Sequence, residues 1–112
     1  MRNVPAKQIL AYALVGFFII GAIGNILAPK TITEEYARWG YPDWFHFVTG
    51  SLELTSAILM ARQASRTIGS LLAACIMASA IVTVIFHGEY THAIAPAVVL
   101  GCLVLSVYLH RK

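Results

Sequence analysis

Four runs of eighteen to twenty residues, 9–27, 44–61, 68–87 and 91–109, are apolar almost throughout, and Glu53 is the one charged residue inside any of them. A bilayer core takes about 20 apolar residues as a helix, with roughly 17 as a lower limit. No water is present there to satisfy a free backbone amide, so each run must close its own hydrogen bonds as a helix. The links between the runs are short, so successive helices run antiparallel. The expected fold is all-α, an integral membrane four-helix up-down bundle forming a single domain over 1–112. A chain of 112 residues that is 59% hydrophobic and 12% charged lacks the polar surface to cover itself in water. The lipid bilayer is its expected partner.

Arg2, Lys7, Arg62, Arg66, Arg111 and Lys112 flank the runs on one side, against Lys30 and Arg38 on the other. The positive-inside rule then predicts both termini in the cytoplasm and places the chain in a cytoplasmic (inner) membrane. These cations sit at the ends of apolar runs and form no stripe, which excludes nucleic acid as a partner. The first run is longer than the apolar region of a signal peptide and is read as the first bundle helix. Cys75 and Cys102 lie in separate runs with no metal-binding spacing, and each is read as a small apolar residue.

The first outer loop, 28–43, carries Tyr36, Trp39 and Tyr41, aromatic residues suited to the headgroup layer. From Thr33 to Trp39 it predicts a short interfacial helix, either an anchor or a lid over the bundle. As a lid, it makes Trp39 a candidate ligand contact. Asp43 is placed to cap the next helix.

Glu53 lies nine residues after Trp44, about 13 Å below the outer interface at 1.5 Å per residue. An ionisable group at that depth should face the bundle interior, paired or protonated, and mark a functional site. His46 stands two turns above it on the same face, with Gly50 between them opening room for a helix or a ligand. Ser79, Thr83 and His87 form a polar stripe on the third run, His92 begins the fourth, and Asn25 near the outer end of the first completes the ring. The expected object is an outward-facing polar pocket. Glu53 is its floor, and Glu53, His46 and His87 are its candidate acid–base groups. Gly50, Asn25, Thr83, His92 and Trp39 are its candidate ligand contacts. His110, beside Arg111 and Lys112, is read as a solvated tail residue. The histidines show no paired metal-ligand spacing, so no metal is assigned, and there is no flavin, haem or iron–sulfur motif.

Gly40-Tyr41-Pro42 leading into Thr49-Gly50-Ser51-Leu52-Glu53-Leu54, with Arg62 just beyond, resembles the DoxX and DoxX-like family of small four-helix membrane proteins. The long first loop and the Ala95-Pro96-Ala97 opening of the fourth run extend the resemblance over nearly the whole chain. Founding members are similar to the membrane subunit of a thiosulfate:quinone oxidoreductase. The resemblance therefore implies a site at Gly50 and Glu53 for a quinone or another hydrophobic small molecule, with electrons supplied by a separate redox subunit. The residues alone leave other readings open: a proton-coupled small transporter, an acid–base enzyme acting on a lipophilic substrate, or a non-catalytic assembly subunit. A homo-oligomer is compatible with all of them.

Overall fold

A computed structural model describes residues 5–110; Arg2, Arg111 and Lys112, three of the cations used for the orientation, lie outside the described residues. It contains helices α1 (Ala6–Leu27), α2 (Lys30–Arg38), α3 (Phe45–Ala61), α4 (Arg66–Phe86) and α5 (Ile94–His110). Short 3-10 turns, Gln63–Ser65 and Tyr90–Ala93, lead into α4 and α5, and there is no strand among the described residues. The helix count is thus five, four long helices and the short one expected in the first loop. Three of them, counted with their 3-10 turns, are long and apolar enough to cross a membrane, while α3 has 17 residues and sits at the lower limit.

Two local details differ from the sequence reading. Helix α2 starts at Lys30, three residues before Thr33, because Pro29 at its N-cap fixes the entering backbone and needs no amide of its own. The Thr33 hydroxyl instead donates back to the Lys30 carbonyl at 3.0 Å. Asp43 does not cap α3: Trp44 is the N-cap and no side-chain bond closes it, while the Phe45 amide donates to the Pro42 carbonyl.

Helix α1 packs on α3, α3 on α4, α4 on α5 and α5 back on α1, closing a four-membered ring, with α2 lying against α3 at one end. Leu14, Phe18, Ala57, Met60, Ala73, Met77 and Leu103 fill the centre. The outside of the ring is apolar as well, with Ile20, Val82 and Phe86 exposed. Such a surface suits hydrocarbon and would be costly in water.

At the end away from α2 the packing is tight. A Cβ on Gly69 would lie 2.7 Å from the Met60 amide nitrogen and 2.8 Å from the Leu59 Cβ, so α3 and α4 meet almost backbone to backbone there. Gly50 does the same between α3 and α1, where a Cβ would meet Ile26 at 2.8 Å and the Ala22 carbonyl at 3.1 Å. Gly16 and Gly101, by contrast, face open space.

Arg66, read from sequence as an orienting charge, is buried and ties this end together. Its Nε donates to the Met60 carbonyl at 2.8 Å and its Nη2 to the Ala61 carbonyl, satisfying the C-terminus of α3. Its Nη1 donates to His110 Nε2 at 3.2 Å, and the guanidinium sits 5.3 Å from the ring centre of Tyr12 on α1. His110 therefore differs from the solvated tail residue expected. With Nε2 accepting from Arg66, its Nδ1 carries the proton and donates to the Ser106 carbonyl at 2.9 Å.

Candidate functional site

At the α2 end the helices part, and a cavity of about 540 Å³ occupies the space between α3 and α4, above the Gly69 contact and beneath α2. That volume lies within the range of small-molecule sites. On α3 the buried positions His46, Gly50, Glu53, Ala57 and Met60 recur every three or four residues and form one inward face. Glu53 is the ionisable residue this face carries into the cavity wall.

The carboxyl is held from α1. Asn25 Nδ2 donates to Glu53 Oε1 at 2.7 Å and to the Gly21 carbonyl at 3.1 Å. Because a carbonyl can only accept, the Gly21 bond fixes which way the amide faces. Asn25 Oδ1 is then left to accept from the Tyr36 hydroxyl at 2.9 Å. Burial pushes the Tyr36 phenol above its ordinary value, so it stands as a donor. Gly21 makes room for the acid: a Cβ there would lie 2.8 Å from Glu53 Oε2. That oxygen takes no hydrogen bond from the described residues.

Helix α2 roofs the cavity with Ile32, Glu35, Tyr36 and Trp39, a single stripe at i, i+3, i+4 and i+7. Two glycine turns bring the roof to its partners. Gly40, at φ +84°, ends α2 with its amide donating to Ala37 and the Tyr41 amide donating to Tyr36. Gly88, at φ +73°, ends α4 with the same pair of bonds, from Gly88 to Ile85 and from Glu89 to Val84. Both are Schellman closures, which need a left-handed residue that glycine adopts without strain. They set Arg38 and Trp39 opposite Glu89. Arg38 donates from Nε and Nη2 to the two Glu89 oxygens at 2.9 and 2.8 Å, and the Trp39 indole adds a bond at 3.1 Å. The Arg38 hydrogen bonds hold the Glu89 carboxyl down to about 2, and the same contact raises the Arg38 guanidinium. Tyr41 completes the roof, its hydroxyl 2.6 Å from Thr83 Oγ1 and its ring stacked on Phe45 at 4.6 Å.

The candidate residues read from sequence thus separate. Glu53, Asn25, Thr83 and Trp39 line the cavity, as does Ser79. Gly50 supports it through the α1–α3 contact. His46 is buried but stands behind it, beside a smaller hollow of about 250 Å³, where its Nδ1 donates to the Asn25 carbonyl at 2.8 Å. His87 and His92 are exposed outside the cavity, and His87 Nδ1 folds back on the Thr83 carbonyl. Cys75 and Cys102 are free thiols. Tyr36, Tyr41 and Glu35 were missed as site residues. The 32/35/36/39 spacing was the signal that could have found Glu35 and Tyr36; Tyr41, beyond the helix, has no such signal. Among the described residues no group of three His, Cys, Asp or Glu side chains could hold a metal ion.

The family model described as DoxX-like family matches residues 9–107, which includes every helix wall of the cavity. No curated protein and no solved structure matches the chain.

Proposed function

The chain belongs to the DoxX-like family, and from that premise we propose that this membrane protein binds a quinone, or a similar hydrophobic molecule with one polar end, in the α3–α4 cavity. The observation that carries the reading is the Glu53 carboxyl in the wall of a largely apolar cavity, with Oε1 held by Asn25 and Oε2 without a partner among the described residues. A quinone-sized ring fits the space, and its carbonyl oxygen calls for a donor such as a protonated carboxyl or a phenol. Glu53 would give or take a proton at Oε2, while Asn25 fixes the carboxyl's orientation. Tyr36 and Tyr41 would close the head end against water, and Thr83 and Trp39 would border it. His46, through the Asn25 carbonyl, is a positioning residue in this reading. His87 and His92, outside the cavity, take no part in this reading.

Reduction of a quinone to a quinol takes two electrons and two protons. The protons would pass through Glu53. The electrons would come from a partner redox subunit, since the chain holds no redox motif of its own. The basic residues support an orientation in which α2 faces outward from the cytoplasmic membrane and the termini face in.

The test is what co-purifies. Protein extracted in mild detergent should yield a quinone or related lipophile by mass spectrometry, strongly depleted on Glu53→Gln with the fold retained. Protein of both kinds emerging empty while bringing down a larger membrane protein would overturn the binding reading in favour of an assembly subunit.

A further inference from the structure

The cavity's wall changes character with direction. Toward α2 it is shut by bonded side chains: Tyr36 to Asn25, Tyr41 to Thr83, and Arg38 and Trp39 to Glu89. Toward the bundle axis it ends on the buried side chains of Met77 and Val84. In the third direction, outward through the gap between α3 and α4, its lining is Leu52, Leu72, Cys75 and Ser79, of which Leu52, Cys75 and Ser79 are exposed on the flank of the bundle. Leu52 and Cys75 lie near the middle of their helices, seven residues after Phe45 in α3 and nine after Arg66 in α4, so this side meets hydrocarbon and not headgroups. No hydrogen bond or ion pair joins α3 to α4 across that gap among the described residues.

We infer that the cavity is reached from within the membrane, through the α3–α4 gap, by a single-tailed amphiphile whose polar head lodges at Glu53 under α2 and whose tail stays between Leu52 and Leu72 in the lipid. This rests on the binding reading above for its occupant, but the route follows from the lining alone. The ligand class narrows accordingly. A water-soluble head without a tail has no open path, because the bonded roof stands between it and the carboxyl. A two-chain phospholipid would have to force both chains through one gap.

The route can be tested without any ligand. A nitroxide is placed on Thr49→Cys, which faces the cavity, in a Cys75→Ala, Cys102→Ala background reconstituted in phosphatidylcholine vesicles. Its collision rates with oxygen, which concentrates in hydrocarbon, and with a water-soluble nickel chelate are then compared. Oxygen should dominate, and adding Leu72→Trp to plug the gap should lower the oxygen rate several-fold without changing the nickel rate. Dominance of nickel, or insensitivity of oxygen to the plug, overturns the route. Should the Thr49 variant fail to fold, the same label on native Cys75 in Cys102→Ala reads the rim of the gap, where a nickel-dominated signal overturns the proposal equally. Neither result depends on the mass-spectrometric assay, so failure of the route and failure of the binding reading are told apart.

Discussion

The two ends of the bundle are built on opposite terms. At the end away from α2, Gly69 brings α3 onto α4 and Arg66 ties α1, α3 and α5 through carbonyls, an imidazole and a ring. At the α2 end the same two long helices stand apart, and the space between them is bounded by the Glu53 carboxyl of α3, the Asn25 amide of α1 and the hydroxyls of Tyr36, Tyr41 and Thr83. Within lipid, helices gain little from hiding apolar surface from one another, so close packing and polar bonds decide where they touch. A bundle pinned at one end can leave a cavity at the other without losing its helix arrangement. The difference assigns stability to one end and binding to the other.

Mutations at the pinned end should therefore cost fold and not selectivity. Gly69→Val should have the largest effect, because its Cβ would fall on the Met60 backbone, which cannot swing aside as a side chain could. Overpacking of this kind costs about 1–3 kcal/mol, and the close α3–α4 contact leaves little room to relax. Arg66→Ala follows, leaving the Met60 and Ala61 carbonyls without their donor, at about 1–3 kcal/mol for unsatisfied buried groups. Arg66→Lys should recover little, since an ammonium cannot reproduce the fork that reaches two carbonyls and His110 together. Thermal unfolding in detergent checks both. A stable Arg66→Ala protein that had lost its ligand would break the division between the ends.

At the cavity end the expectation reverses. Glu53→Gln keeps the size of the side chain and an acceptor for Asn25, so folding should be nearly unchanged. Loss of one charge-assisted or acid hydrogen bond to the ligand should lower its retention about tenfold, the equivalent of 1.4 kcal/mol. Retention is read by quantitative mass spectrometry against wild type. His87→Ala, at an exposed position outside the cavity, should leave both fold and retention as they are.

What could be read from the sequence follows the same division of labour. The apolar runs gave four long helices to within a few residues, because the thickness of hydrocarbon dictates their length. Glu53 stood out because a membrane acid is costly wherever it lies, and Asn25 was placed near it by depth alone. Rotation about each helix axis was far less visible. In lipid both faces of a helix are apolar, so the periodicity that orients a helix in a soluble protein is nearly absent. That is why His87, at a suitable depth, turns out to face away, and why His46 bonds a backbone carbonyl instead of lining the cavity. Arg66 reads as an orienting charge and His110 as a solvated tail residue because nothing local in the sequence shows that residues 44 positions apart will meet. Helix α2 is the exception: it is amphipathic, and its 32/35/36/39 stripe did carry its orientation.

The smallest effect should come from the Arg38–Glu89 contact that holds the roof, because Arg38 is half exposed and such pairs contribute little to overall stability. Its consequence is local. The ordinary value of 4.5 for a glutamate falls to about 2 at Glu89, so the contact's contribution is present in full above 4.5 and is lost as pH falls from there through about 2. In a Trp44→Phe background, where Trp39 is the reporting indole, fluorescence should hold steady from neutral pH to about 4.5 and shift below it, while Glu89→Gln should show the shifted signal at neutral pH. The same substitution should speed tryptic cleavage after Arg38 in vesicles whose α2 end faces the protease, with the unfolding temperature unchanged. A fall in unfolding temperature would mean that the roof helps to hold the bundle. Cavity and scaffold would then not be separable along its length.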